Sequence, residues 1–217
     1  MTVNHYVPGS SPGGGVYNKI MKAKFVDIPT PHILLYDVFD EETLPLIWKE
    51  LDFIHPILVD GSNTSPAETD GYILKNNKGK FIYDIYANIN YSTICKQVRN
   101  IAFNSNMQDF WKDNWIKEMY NTTNWDSTLI SYYDDGSYYA PHIDEAVFTM
   151  LLWLWKEPKS FSGGDFSFTR TYHNIECQNN SGIIFLSSEK HGVSKVNLKT
   201  PDYGRYCISV FSGIGHP

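Results

Sequence analysis

The sequence predicts a mainly β domain of the sandwich or barrel class, with flanking helices in its N-terminal half. From Trp125 onward, seven or eight short apolar segments alternate with turn signals, a spacing typical of a sandwich or barrel. Upstream of Trp125, apolar residues instead recur at helical spacing in three segments. The aromatic fraction of 15%, with six Trp, suits a packed β core. We therefore expect an α+β fold in which helices buttress one face of a sheet.

The N-terminal half is predicted to hold an arm, an early strand and three helices. Residues 1–16 are predicted to form a flexible arm, because they are too rich in Gly and Pro for a regular element. A strand is predicted within residues 22–37, and Asp40 is the expected N-cap of the first helix. The helices are predicted at residues 41–53, 91–103 and 107–120. Residues 74–81 are predicted to form two strand ends around an exposed turn that carries three lysines.

The C-terminal half is predicted to contain only strands and turns. The strands are predicted at residues 128–133, 148–155, 165–169, 172–176, 182–186, 191–196 and 205–211. Pro, Gly and Asn mark the turns between them. The sequence contains no internal repeat and no linker, so residues 17–217 are predicted to form a single domain.

The composition argues against several classes of protein. A net charge of -6 and a pI near 5.6 disfavour general binding to nucleic acid or to anionic membranes, which use clustered Lys and Arg. The sequence has no run of 18 apolar residues and no basic-then-apolar signal pattern at its N-terminus. We therefore expect a cytoplasmic protein. Its three widely spaced cysteines do not suggest a disulfide framework, and the sequence leaves the oligomeric state open.

Three residues that are far apart in the sequence form a candidate metal site. His142 and Asp144 would point to the same side of a strand, and a neighbouring strand would have to bring in His191. Two imidazoles and one carboxylate on one face of Fe(II) leave three coordination positions open. The alternative is a pair of structural histidines, with Arg205 in a solvent ion pair. The presence of all four residues in one block favours the metal site.

This block resembles the iron(II)- and 2-oxoglutarate-dependent oxygenases, and above all their prolyl 4-hydroxylase-like branch. The shared pattern is Tyr-x-x-Gly-x-x-Tyr-x-x-His-x-Asp, which begins at Tyr133 and ends at Asp144. Residues 161–166 and 204–206 also match, and the resemblance covers about residues 125–212. It implies a double-stranded β-helix, a cupin-like jelly roll, that holds metal and cosubstrate. In relatives, the segment that corresponds to residues 75–80 is often a mobile flap.

The resemblance also implies roles for individual residues. The three candidate ligands would hold Fe(II), with 2-oxoglutarate and O2 as cosubstrates and ascorbate as an optional reductant. Arg205 would pair with the 5-carboxylate of 2-oxoglutarate, because a planar guanidinium can donate two parallel hydrogen bonds. Further cosubstrate contacts are expected from Tyr133, Ser209 and Trp153. Arg205 follows His191 by 14 residues, a longer interval than relatives use, so the hairpin between them carries extra residues.

The substrate that the resemblance implies first is a peptidyl-proline, hydroxylated with release of succinate and CO2. Tyr139 and Phe211 fall at positions that line the substrate pocket of the peptidyl-prolyl 4-hydroxylases. Ala146 stands where those relatives carry an arginine, which leaves a free amino acid or another small molecule as an alternative. Nucleic acid is not expected, because Phe211 replaces a second arginine of the demethylating branch. Outside the enzyme class, the alternative is a non-catalytic, cupin-like metal-binding protein.

Overall fold

The computed structural model describes residues 5–6, 21–64, 68–69, 72–104 and 106–215, so most of the predicted arm lies outside the described residues. The helices are α1 (Leu44–Ile54), α2 (Thr93–Ala102) and α3 (Asn114–Thr122). The first strands are β1 (His5–Tyr6), β2 (Lys22–Val26), β3 (His32–Tyr36), β4 (Val59–Asp60), β5 (Glu68–Thr69), β6 (Tyr72–Ile73), β7 (Lys78–Phe81) and β8 (Trp125–Tyr133). They are followed by β9 (Tyr139–His142), β10 (Phe148–Leu154), β11 (Phe161–Ser162), β12 (Phe166–Phe168), β13 (His173–Ile175), β14 (Ser181–Leu186), β15 (His191–Val193), β16 (Asn197–Leu198) and β17 (Arg205–Gly213).

Two antiparallel sheets form the centre of the fold. The major sheet has nine strands in the order β1-β2-β3-β14-β10-β17-β8-β7-β4, and the minor sheet has four in the order β13-β12-β15-β9. Neighbouring strands therefore come from distant parts of the chain, as in β14, β10, β17 and β8. This topology confirms the mainly β jelly roll with flanking helices that the sequence predicts.

Strand β10 separates the two hydrophobic cores. Its alternate side chains point to opposite faces of the sheet, and every one of them is buried, which explains its uninterrupted apolar sequence. Met150 and Leu152 join the core that contains the helices, whereas Leu151 and Trp153 join the core between the two sheets. The helices thus cover one face of the major sheet, and the minor sheet covers the other.

The bounds of several elements differ from the predictions. The predicted helix at residues 107–120 is a 3-10 turn, Met107–Phe110, followed by α3, because the backbone turns extended at Trp111. Asp40 does accept a backbone hydrogen bond, from Thr43 at 2.7 Å, but α1 itself begins only at Leu44. The strand expected to carry both His142 and Asp144 is β9, but it ends at His142, so Asp144 lies beyond it.

The prediction of two strand ends around a turn in residues 74–81 agrees with the structure, but the predicted exposure of Lys75 is wrong. Strand β7 lies in this segment and pairs with β8, from Lys78 opposite Tyr132 to Phe81 opposite Leu129. Lys75 is only 2% exposed. The segment is therefore part of the wall of the sandwich, and the mobile flap that the resemblance implies stays a prediction. Within the described ranges, no helix is both long and apolar enough to cross a membrane.

Candidate metal centre

The structure brings the three candidate ligands together. His142 ends β9 and lies directly opposite His191, the first residue of the paired strand β15. Asp144 follows two residues later, with Oδ1 at 3.5 Å from His142 Nε2 and Oδ2 at 3.4 Å from His191 Nε2. The ligating atoms all lie within 4.8 Å of one another, and this is the one such cluster in the described part of the chain. Pairing of β9 with β15 is therefore what joins the distant histidine to the His-x-Asp pair.

Hydrogen bonds fix the orientation of all three side chains. His142 Nδ1 lies 2.9 Å from the carbonyl of Ala140, and His191 Nδ1 lies 2.8 Å from the carbonyl of Glu189. A carbonyl accepts only, so each Nδ1 carries the proton and each Nε2 presents a lone pair to the centre. The third ligand, Asp144, accepts a hydrogen bond of 2.7 Å at Oδ2 from the Thr149 hydroxyl. Such outer hydrogen bonds are typical of residues that hold metals.

The protonation states also suit a metal. Burial lowers the pKa of His191 to about 4, although the charge of Asp144 opposes this shift. Burial acts to raise the pKa of Asp144, but the His142 hydrogen bond and the nearby imidazoles outweigh it and lower the pKa. At neutral pH the cluster therefore offers a neutral imidazole at His191 and an ionised carboxylate, which are the ligand forms that bind divalent ions.

A cavity of about 290 Å³ opens in front of these ligands. Its walls include alternate side chains of β8, from Trp125 to Tyr133, and of β17, from Cys207 to Phe211. The predicted residues that line it are Tyr133, Tyr139, Ser209 and Phe211. The ring of Tyr139 stacks on the ring of His142, with centroids 3.5 Å apart and an interplanar angle of 11°. The cavity is therefore shaped by aromatic and small polar side chains next to the metal ligands.

Arg205 lies behind one wall of this cavity. Its side chain is 0% exposed, and its guanidinium carbon lies 4.8 Å from the centroid of the Tyr133 ring. Nη1 donates to Cys177 Sγ at 3.3 Å, whereas Nε and Nη2 have no partner among the described residues. Burial acts to lower the pKa of Arg205, but the surrounding groups, Cys177 first, outweigh it and raise the pKa. The interior thus holds a permanent positive charge with two N–H donors available for an anion.

Trp153 is placed differently from the prediction. It is 2% exposed, packs against Phe166, and does not line the cavity of the metal ligands. It lines a second cleft between the sheets instead. Leu151 and Trp153 share one face of β10, but Leu151 lines the cavity, whereas Trp153 lies two residues farther along the strand, beyond the cavity wall. The cosubstrate contact by Trp153 therefore stays a prediction.

Lys75 and Thr149 are site residues that the sequence did not reveal. Lys75 lines the cavity, donates to Thr64 Oγ1 at 3.0 Å, and has its Nζ 5.2 Å from the Tyr139 ring centroid. Burial lowers the pKa of Lys75 to about 8, while Asp144 acts to raise it. The position of Lys75 depends on a β-bridge to Tyr139, which lies 64 residues later in the chain, so no local sequence pattern predicts it. Because a lysine among polar residues is usually exposed, the sequence predicts exposure of Lys75 rather than burial.

Comparisons with known proteins agree with the geometry. Residues 128–213 match the family model of the 2OG-Fe(II) oxygenase superfamily. No curated protein matches the sequence. Among solved structures, a prolyl-4-hydroxylase from Pseudomonas putida aligns with a TM-score of 0.56 at 14% identity, covering 85% of this chain and 93% of that one.

Two further solved structures share the fold. A viral collagen prolyl hydroxylase from Paramecium Bursaria Chlorella virus-1, in a 2OG complex, aligns with a TM-score of 0.51 at 9% identity, covering 84% of this chain and 96% of that one. A prolyl hydroxylase from Trichoplax adhaerens, in complex with a peptide fragment of the hypoxia inducible factor oxygen degradation domain, aligns with a TM-score of 0.55 at 14% identity. The coverage is 84% of this chain and 83% of that one. At such identities, these likenesses establish a shared fold.

Proposed function

This chain carries the signature and the fold of the 2OG-Fe(II) oxygenases, and we propose that it is a dioxygenase that hydroxylates a substrate C–H bond. The observation that carries the proposal is the convergence of His142 Nε2, His191 Nε2 and the Asp144 carboxylate within 4.8 Å beside a cavity. Nothing in this donor set favours a purely structural ion, because two imidazoles and a carboxylate leave coordination positions for other ligands.

The residues present fit Fe(II). Both imidazoles are held with Nε2 toward the centre, and the carboxylate between them is held by the Thr149 hydroxyl. Ser187 extends this support, since its hydroxyl lies 2.8 Å from that of Thr149. When bound, the iron would supply oxidation by O2 coupled to conversion of 2-oxoglutarate into succinate and CO2. The role of the chain is to hold the ligands rigidly and to exclude water around them.

The residues that would hold the 5-carboxylate of 2-oxoglutarate are Arg205, Tyr133 and Ser209. Arg205 is fully buried and offers Nε and Nη2 as donors, which suits a bidentate carboxylate. The guanidinium lies against the face of the Tyr133 ring, and burial raises the pKa of the Tyr133 phenol, so this phenol stays a neutral hydrogen-bond donor. Ser209 lies on the same face of β17 and lines the cavity. A dicarboxylate would thus lie between the metal ligands and Arg205.

We propose a peptidyl-proline as the leading substrate. The support is that Tyr139 and Phe211 line the cavity, as the family resemblance requires, and that three solved structures of similar fold are prolyl hydroxylases. Tyr139 is held against His142 by ring stacking, so it would contact a substrate close to the metal. A proline ring, which is compact and apolar, would pack against such aromatic walls.

A carboxylate-bearing small molecule, such as a free amino acid, is the second candidate. The observation that favours it is the ammonium of Lys75, which lines the cavity on the same side as Tyr139. A carboxylate next to an ammonium in a site of low water content gains a charge-assisted hydrogen bond. An internal proline in a peptide carries no such charge. The two substrate classes therefore differ in their use of Lys75.

The test of the oxygenase function is turnover of 2-oxoglutarate. Anaerobic addition of Fe(II) and then 2-oxoglutarate should give a weak visible charge-transfer band, and O2 should then yield succinate. His142→Ala and Asp144→Ala should abolish both signals, whereas the surface variant Asp109→Asn, which only loses an ion pair with Lys117, should retain them. Full succinate formation by Asp144→Ala would refute the assignment. Metal binding without the band or turnover would favour the non-catalytic alternative.

The test of the substrate is a mass-spectrometric search for the gain of one oxygen. A panel of proline-containing peptides is compared with a panel of free amino acids, with and without ascorbate. If the peptide proposal is right, Lys75→Met should leave peptide oxidation largely intact. If a small carboxylate is the substrate, the same variant should lose most of the activity, because the ammonium next to Tyr139 is gone. Oxidation in neither panel would leave both substrate proposals without support.

A further inference from the structure

A second cleft opens between the two sheets, away from the candidate metal centre. It has a volume of about 340 Å³ and lies between strands β2 and β3 of the major sheet and β13, the edge strand of the minor sheet. Among the described residues, none that lines this cleft also lines the first cavity. Thr30 and Thr171 join the same two sheets through hydroxyls 2.9 Å apart. The cleft therefore lies along the line where the two sheets meet, which we call the seam, and it is separate from the proposed oxygenase site.

Three buried nitrogen atoms around this seam lack a hydrogen-bond partner within the described part of the protein. They are His32 Nε2, His173 Nδ1 and Trp153 Nε1. Most buried polar atoms in native proteins are hydrogen-bonded, so three exceptions around one cleft indicate that something polar occupies it. His32 is 0% exposed, so its Nε2 cannot be satisfied by bulk solvent.

His32 is oriented like the two histidines of the candidate metal centre. Its Nδ1 lies 2.7 Å from the carbonyl of Thr30, two residues earlier in the chain. His142 and His191 make the same contact, each with the carbonyl two residues before it. The carbonyl requires a proton on Nδ1, which leaves a lone pair on His32 Nε2. Burial lowers the pKa of His32 to about 4, so the ring is neutral at neutral pH.

The spacing of the two rings suits a shared metal ion. The centroids of His32 and His173 are 5.5 Å apart, with an interplanar angle of 53°. Two imidazoles on one tetrahedral Zn²⁺, with Zn–N bonds of about 2.0 Å, have ring centres roughly 5.2 Å apart. An ion between the two rings would take a lone pair from each of the two unpartnered imidazole nitrogens, His32 Nε2 and His173 Nδ1.

We propose that His32 and His173 bind a divalent transition-metal ion of the Zn²⁺ type in this cleft. In the described ranges no third His, Cys, Asp or Glu completes the set, so water fills the remaining positions. His32 belongs to β3 and His173 to β13, so the ion joins the major sheet to the minor sheet. Lys24 and Glu176 also line the cleft and carry opposite charges, so they do not set its net charge. The role of the ion is to clamp the seam.

Zinc binding to the full chain tests this proposal. The chelator-treated protein is titrated with Zn²⁺ alone by calorimetry, in wild type and in His32→Gln, His173→Gln and His142→Ala variants. We expect two zinc sites in wild type and one in each of these three variants. The double variant His142→Ala/His173→Gln should bind no zinc. His55→Gln is the matched control, because His55 Nδ1 already has a partner in the Tyr206 hydroxyl, and it should retain both sites.

Thermal unfolding distinguishes a bound metal ion from ordered water in the cleft. In the His142→Ala background, Zn²⁺ should raise Tm, because an ion that binds only the folded state stabilises it. The rise in Tm should vanish when His173→Gln is added. His173 is partly exposed, so its replacement should not prevent folding. An unchanged zinc stoichiometry in both His32→Gln and His173→Gln, or no zinc binding to His142→Ala, overturns the proposal. Failure of the oxygenase site alone would instead appear as one site in wild type that His142→Ala leaves intact.

Discussion

Replacement of Arg205 by methionine should separate cosubstrate binding from folding stability. The guanidinium is fully buried, and its polar contacts among the described residues are one donation to Cys177 Sγ and the face of Tyr133. Methionine has a similar length and no charge. Arg205→Met therefore removes a buried cation without leaving a charged partner behind, a case in which a hydrophobic replacement is often neutral or stabilising.

The expected effect on cosubstrate binding is large. Nε and Nη2 are the two donors without a partner, and each hydrogen bond to a charged group contributes about 1.5–3 kcal/mol. Loss of both amounts to about 3–6 kcal/mol, which corresponds to roughly a 10²–10⁴-fold rise in the KM for 2-oxoglutarate. The loss of the contact with the Tyr133 ring costs about 0.5–2 kcal/mol, which the removal of a buried charge offsets.

The assay combines succinate release at varied 2-oxoglutarate with thermal unfolding in its presence and absence. 2-Oxoglutarate should raise Tm in wild type and not in Arg205→Met, while the Tm values without it should be similar. Arg99→Met is the matched control, because Arg99 pairs with Asp126 at 2.8 Å on the helix side of the major sheet. It should lower Tm and leave the KM unchanged. A KM within twofold of wild type for Arg205→Met would refute the assignment of Arg205.

Three further predictions follow from local geometry. Thr149→Val keeps the shape but removes the hydroxyl that supports the metal carboxylate, so iron affinity should fall about 10–100-fold, whereas Thr149→Ser should retain it. In the metal-free protein, the pKa of His32 is about 4 when folded against 6.5 when unfolded, so its contribution to stability is full above pH 6.5 and declines toward pH 4. Urea unfolding should show a loss over this window that is roughly 3 kcal/mol larger in wild type than in His32→Gln, because the lowered pKa of His191 contributes equally to both proteins. A Cβ on Gly182 would lie 2.4 Å from the carbonyl oxygen of Leu151, so Gly182→Ala should lower the free energy of unfolding by about 1–3 kcal/mol. Gly79→Ala is the control, because the closest contact of its Cβ would be 3.3 Å, and it should lower this free energy less. Equal losses in the two variants would contradict this reasoning.

Much of the fold could be predicted because it depends on local patterns. Apolar residues at helical spacing give α1 and α2 within a few residues of the predicted bounds. The uninterrupted apolar sequence of β10 reflects burial on both faces. The bounds of β9 and the sheet position of β7 escaped prediction, because their sequences are polar and their pairing partners lie far away in the chain.

The sequence by itself determined which atoms are available: two imidazoles, one carboxylate and a guanidinium in the order typical of the family. Only the tertiary structure decided that β15 pairs with β9, which places His191 beside His142, and that the cavity is lined by Leu151 of β10 and not by Trp153 on the same face. Likewise, only the fold buries Lys75 in the cavity wall and brings His32 near His173. The physical reason is that the type of a residue fixes its chemistry, whereas its neighbours depend on strand pairings between segments that are distant in the chain.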